Sequence, residues 1–289
     1  MTSDNSPWDS LTVTADGAAP GRYTATIGDV WTLAVVPLGG IVTAIGVEAM
    51  VAELADPAQT LRTQTSVFAG QVAAGPVEVD VTVLRRGRSM SQLTATVRNP
   101  GADAGLTVVA VFGRTRRGVD FVDVEPPEVP PPDGLRSFRD PVPDGIDFEF
   151  DGPLLPLWER VIETRPALGR TPWEPFVAGR SDVANWVRVE DPPLDGDGSL
   201  HRAVPLVVCD MMPGAVHQKV GPVDPPWFGP SADYTLHALG PVPPGWLLCH
   251  VRARSGGDGY ASVEMTLWPE DRARPVAYAT QVMFFAFQG

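Results

Sequence analysis

Two cysteines, Cys209 and Cys249, are all that the 289 residues contain. They form no CxxC pair, which argues against a disulfide framework or a cysteine zinc site and suits a reducing cytoplasm. Lysine is nearly absent: Lys219 stands alone, and the other 21 of the 22 basic residues are arginine. A formal net charge of −13 disfavours nucleic acid and anionic membranes as partners. Histidine occurs four times, at His201, His217, His237 and His250, without metal-ligand spacing. No segment approaches the roughly 18 unbroken apolar residues of a membrane helix. The opening Met-Thr-Ser-Asp-Asn-Ser lacks the basic region and apolar run of a signal peptide. A cytoplasmic protein with no membrane insertion is expected.

Apolar residues are plentiful, at 44 %, enough for one large core or two ordinary ones. The stretch 39–54 reads as a helix of 16 residues, about 24 Å long. Only Glu48 and Glu53 are charged, so this helix is expected to be wrapped on most sides. Strands are expected at 23–33, 63–69, 77–84, 90–97 and 106–113, the second pair joined by a turn at Gly87. Residues 119–145 carry Pro126, Pro127, Pro130, Pro131 and Pro132 and read as a stiff connector. Beyond it, strands are expected at 146–150, 158–165, 186–189, 234–239, 246–254, 260–268 and 276–287. A short helix is expected at 206–217, bent or ended by Pro213-Gly214.

The two halves align at a spacing of 169. Pro100 answers to Pro269 and Gly87 to Gly256. The pattern implies a duplicated α+β unit, each copy a helix gripped by an antiparallel sheet.

Four passages carry a resemblance: Pro37-Leu38-Gly39-Gly40; Leu84-Arg85-Arg86-Gly87-Arg88-Ser89; Val208-Cys209-Asp210; and Ser231-Ala232-Asp233-Tyr234-Thr235-Leu236 with Thr280-Gln281. In order and spacing the chain resembles the acyl-CoA thioesterase II family of tandem hot-dog proteins. The resemblance implies a double hot-dog, α+β, with two antiparallel sheets each wrapped around a central helix. It implies an N-terminal unit at 1–118, the connector at 119–145 and a C-terminal unit at 146–289. The implied activity is hydrolysis of an acyl-CoA thioester, with no metal or other cofactor, and with homo-oligomerisation through sheet edges left open.

The family's catalytic aspartate, hydroxyl residue and glutamine fall on Asp210, Ser231 and Gln281, a serine standing where threonine is commoner. At a spacing of 169 their first-copy counterparts are Ile41, Arg62 and Phe112, so the second copy is polar at two places where the first is apolar, and a polar centre is expected in the second copy alone. Gly39 and Gly40, whose amides are unscreened by side chains, are expected to contact the thioester oxygen. Each residue has a plainer role to set against this. Asp210 suits a helix cap, Gln281 a strand hydrogen bond, Ser231 a turn after Gly229-Pro230, and the glycines close packing. Cys209 reads as a small buried hydrophobe. Arg85, Arg86 and Arg88 suit either CoA phosphates or a solvated hairpin. Two other functions stay open: a non-catalytic acyl-CoA or acyl-carrier binding protein, and a hot-dog enoyl-CoA hydratase. The latter needs an Asp/His pair on one loop.

Overall fold

A computed structural model describes residues 6–17, 19–33, 35–146, 155–171, 173–174 and 177–287. Its first half contains β1 (Thr14–Ala15), β2 (Arg22–Ile27), α1 (Gly39–Leu54), β3 (Thr60–Phe68), β4 (Gly75–Arg85), β5 (Met90–Arg98) and β6 (Leu106–Gly113). The second contains β7 (Ile162–Leu168), β8 (Asp182–Val189), α2 (Ala203–Val208), α3 (Gly214–Val220), β9 (Trp227–Phe228), β10 (Asp233–Ala238), β11 (Leu247–Gly257), β12 (Tyr260–Pro269), β13 (Ala277–Phe284) and β14 (Ala286–Phe287).

Twelve strands form one continuous sheet in the order β1-β2-β4-β5-β6-β3-β10-β13-β12-β11-β8-β7. The two antiparallel sheets, expected to meet edge to edge, are halves of a single surface, joined where β3 and β10 pair antiparallel. Read outward from that seam, both halves run in the same order. Thr65 lies opposite Thr235, and their hydroxyls are 2.9 Å apart. The pseudo-twofold axis passes between them, so the repeat there runs at 170, not 169. Asp210 therefore answers to Gly40, not to Ile41. In β6 and β13 the register moves one residue further, and Gln281 answers to Ala110, not to Phe112.

The helix α1 has the bounds read from the sequence and packs on β4, β5, β6 and α2. Its interior residues are nearly all buried, as its lack of a polar stripe requires. It ends on Ala55 in the left-handed region, with Arg86 donating to the Leu54 and Glu53 carbonyls. Arg86 is thus a helix cap, not a free hairpin cation. In the second half the expected single helix is two. α2 ends before Asp210, and α3 starts only at Gly214. Pro213 disfavours helical geometry in the residue before it, which places the break. Residues 158–161, read as the start of a strand, are a π-helical turn leading into β7. The strand expected at 146–150 lies outside the described residues except for Ile146, which is not in a strand.

Residues 114–146 hold no helix or strand. Val129 and Leu135 of this segment pack on the outer face of the second half-sheet, where Trp186, Trp246 and Trp268 form a second buried cluster. Trp186 Nε1 donates to the Pro130 carbonyl at 2.8 Å, and Arg165 to that of Pro132 at 2.9 Å. Prolines suit this segment because they keep their acceptors while needing no donor partner.

Candidate active site

The start of α1 sets up the site. Its cap residue, Leu38, has no side-chain acceptor, so the first amides must find a partner elsewhere. They find Asp210. The Gly40 N–H donates to Asp210 Oδ2 at 2.8 Å, across 170 residues of chain. Asp210 does act as a helix cap, as its plainer role foresaw, but on the helix of the other half. The contact needs Gly40, where backbone stands in the way of a side chain, and Gly39 is closely packed as well. A methyl at Gly40 would lie 2.6 Å from the Leu206 carbonyl oxygen, and one at Gly39 2.5 Å from the Phe68 ring.

The other carboxylate oxygen, Oδ1, accepts from Gln281 Nε2 at 3.0 Å. The same nitrogen donates to Ser231 Oγ. The three residues named from the sequence therefore meet, supplied by the helix break, the loop before β10 and the middle of β13. Both Nε2 hydrogens are used, so Ser231 accepts from Gln281 and keeps its own hydrogen to donate. Asp210 is only 5 % exposed. Burial pushes its carboxyl up to about 7, against the opposing pull of the Gly40 amide, Gln281 and the Gly39 amide.

Asp210, Ser231 and Gly39 line a cavity of about 820 Å³. Most of its wall is apolar, and Asp210 is the one charged side chain among the described lining residues. Gln281 stands behind this wall and is 1 % exposed. Gly39 lines the cavity, but the amides of both glycines are turned to Asp210 and neither is left open.

The remaining polar candidates do not join this centre. Cys209 is fully buried, and burial holds its thiol well above the ordinary range. His217 stacks on Trp227 with ring centroids 4.1 Å apart. His237 meets the Thr63 hydroxyl, and Asp233 accepts from the Val282 amide. An Asp/His pair does exist, His250 with Asp182 at 2.6 Å, but it bridges two strands, not one loop. Its neighbours Cys249 and Val251 line the cavity, so His250 faces the opposite side of the sheet. No group of three or more His, Cys, Asp or Glu among the described residues is placed to hold a metal.

Sequence reasoning missed three features. One is the Gly40–Asp210 contact, which a spacing of 170 would have suggested. The second is a buried neutral cluster in the first half: the Thr43 and Ser66 hydroxyls 2.9 Å apart, and Ser66 donating to Gln64 Oε1 at 2.9 Å. The third is Phe138 of the connector, which reaches the cavity wall.

Comparison with solved structures defines the class as hot-dog. A protein of unknown function with a hot-dog fold from Alicyclobacillus acidocaldarius is 23 % identical, with 98 % of each chain covered and a TM-score of 0.76. The acyl-CoA thioesterase II TesB2 of Mycobacterium marinum is 18 % identical over 98 % of this chain and 99 % of its own, with a TM-score of 0.74. No curated protein gives a significant match. Sequence models of one family cover most of the chain: the acyl-CoA thioesterase N-terminal domain over residues 27–113 and the C-terminal domain over residues 126–285. The chain belongs to the acyl-CoA thioesterase family, and its reaction is hydrolysis of an acyl-CoA thioester.

Proposed function

We propose that Asp210 is the general base of this hydrolysis, with Ser231 holding the attacking water and Gln281 positioning both. One observation carries the assignment: a carboxylate whose pKa lies near 7 faces an apolar cavity from the positive end of a helix. A base of that pKa is half ionised near neutrality and strong enough to take a proton from water. The water oxygen adds to the thioester carbon, and its proton passes to Asp210. The carbon–sulfur bond then breaks, and the departing thiolate takes that proton, leaving acid and free CoA. The oxyanion forms beside the start of α1, whose dipole favours negative charge. Ser231 in place of threonine keeps the hydroxyl that this scheme uses.

The same proposal treats the chain as two fused hot-dog units, 1–118 and 146–289, joined by 119–145, acting in the cytoplasm. The shared strand order supports the units, and the two free cysteines support the compartment. The terminal strands β1 and β7 leave edges for self-association, which sedimentation at graded concentrations would detect or exclude. No helix among the described residues is long and apolar enough to cross a membrane.

The test of the site is Asp210→Asn, which keeps the side chain's shape and removes the base. Thiol release from acyl-CoA should fall about 10²–10⁴-fold, while a non-hydrolysable acyl-CoA thioether binds nearly as before. Wild-type thiol release in the variant would return Asp210 to the role of a cap.

A further inference from the structure

Glu48 and Glu53 are the only charged residues of α1. Glu53 lies near the end of the helix and accepts from the Tyr23 hydroxyl at 2.9 Å. Glu48 lies in mid-helix with its side chain 11 % exposed. A carboxylate so placed must be met by a partner. It is met by Arg202, the residue that precedes α2. Arg202 Nη2 donates to Glu48 Oε2 at 2.9 Å, and its Nε lies 2.9 Å from Oε1. The second contact is ionic, outside hydrogen-bonding geometry. His201 Nε2, 3.8 Å from Glu48 Oε2, and Asp195 Oδ1, 3.9 Å from Arg202 Nη1, complete the cluster.

This ion pair and the Gly40–Asp210 bond bracket one pair of helical segments. Glu48 is eight residues beyond Gly40, and Arg202 is eight before Asp210. The stretch 202–210, which is α2 with its flanking turns, therefore runs antiparallel to α1 and is tied to it at two points about 12 Å apart. Between the ties the two pack through buried apolar residues. Apolar attraction is non-directional and leaves such segments free to slide. Directional contacts at both ends fix their register. A buried ion pair is a poor source of stability, because apolar residues of similar size usually serve as well or better. What Glu48 and Arg202 add is register, and register decides whether Asp210 meets the first amides of α1.

We propose that Glu48 and Arg202 are positioning residues of the active site, a clasp that holds α2 in the register that presents Asp210 to the Gly40 amide. The proposal rests on the reading of Asp210 as the base and adds two residues to it. Neither lines the cavity, so the clasp acts on the base and not on the substrate. Cys209 and Tyr234, the titratable groups beside Asp210, are held neutral by burial. Burial raises the Asp210 carboxyl to about 7, while the Gly40 amide, Gln281 and the Gly39 amide oppose the rise. Releasing the clasp removes the share of the amides, so the pKa moves further up.

The test replaces both partners of the full-length chain at once, Glu48→Met with Arg202→Met, so that no buried charge is left alone. Thermal melts of this double variant should match or exceed those of wild type. The Asp210 carboxyl, followed by isotope-edited NMR and assigned by its disappearance in Asp210→Asn, should titrate about one pH unit higher than in wild type. At about pH 7, kcat for thiol release should fall about tenfold, with KM changed by less than about twofold. Arg202→Lys keeps the charge and loses the two-point grip. It should move both readouts the same way by less, and it decides the matter if the double variant does not fold. A folded variant that keeps the wild-type titration and kcat overturns the proposal and leaves the base assignment standing. A raised titration that the pH limb of kcat/KM does not follow upholds the clasp and sinks Asp210 as the base.

Discussion

The two halves share one strand order and differ in one helix. In the first, α1 runs unbroken for 16 residues and fills the concave face of its half-sheet. In the second, the helix stops at Val208 and restarts at Gly214. Met211 and Pro213 of the interruption, with Gly214 at the start of α3, line the cavity. The break therefore does two things: it leaves space for a ligand, and it frees Asp210 to reach the start of α1. The first half is not devoid of buried polar groups. Thr43, Ser66 and Gln64 form their own cluster, but it is neutral, and none of the three lines the cavity. What separates the halves is a carboxylate facing open space, not polarity as such.

The comparison would break most visibly at Asp210, where the Asp210→Asn loss of about 10²–10⁴-fold should dwarf any effect in the first half. Thr43→Val, at the neutral cluster, should change thiol release by less than about threefold. Its cost should be confined to folding, about 1 kcal/mol for the lost hydrogen bond, measured by denaturant melts. A rate loss at Thr43 comparable to that at Asp210 would mean that the first half also carries chemistry.

Gly40→Ala sharpens the relation between the halves. The added methyl meets backbone at Leu206 and Val207, which cannot swing aside as a side chain can. We expect about 1–3 kcal/mol of lost stability, together with reduced activity because α1 and Asp210 are pushed apart. A variant of unchanged stability and rate would show that the contact is not needed.

The last expected effect is on the pH dependence of stability. Asp210 has a raised pKa, so the folded chain holds its proton to about pH 7 while the unfolded chain releases it near 3.8. Stability from this group is present at low pH and is lost as pH rises through that window, by at most about 4 kcal/mol. Asp210→Asn lacks the loss. The melting temperature of the variant, relative to wild type, should climb between pH 4 and 7 and level off above. A difference that is flat with pH would mean that Asp210 is not held protonated.

Much of this was legible locally. The bounds of α1 could be read because its apolar coverage and the absence of internal proline are properties of the segment itself. The strands β4 and β5 followed from alternation, β6 from a continuous apolar run, and their limits from turns at Gly87 and Asn99-Pro100. Asp210, Ser231 and Gln281 were found through family resemblance, since each alone suits a plainer role. What stayed hidden depends on distant chain. The Gly40–Asp210 bond joins two halves and has no local signal. The helix break was foreseen as a bend or end at Pro213-Gly214 but not as early as Cys209, because Leu206–Cys209 is as apolar as any helix core. The repeat spacing of 169 was one residue short at the helix, which sufficed to hide Gly40 as the counterpart of Asp210.

The central claim, that a single buried carboxylate with a raised pKa is the base, is tested most directly by the pH dependence of kcat/KM. Wild type should rise with pH through about 7 and plateau above, as Asp210 ionises. The residual activity of Asp210→Asn should lack that limb. A limb near pH 4 in wild type, or one near pH 7 that persists in Asp210→Asn, would contradict the assignment.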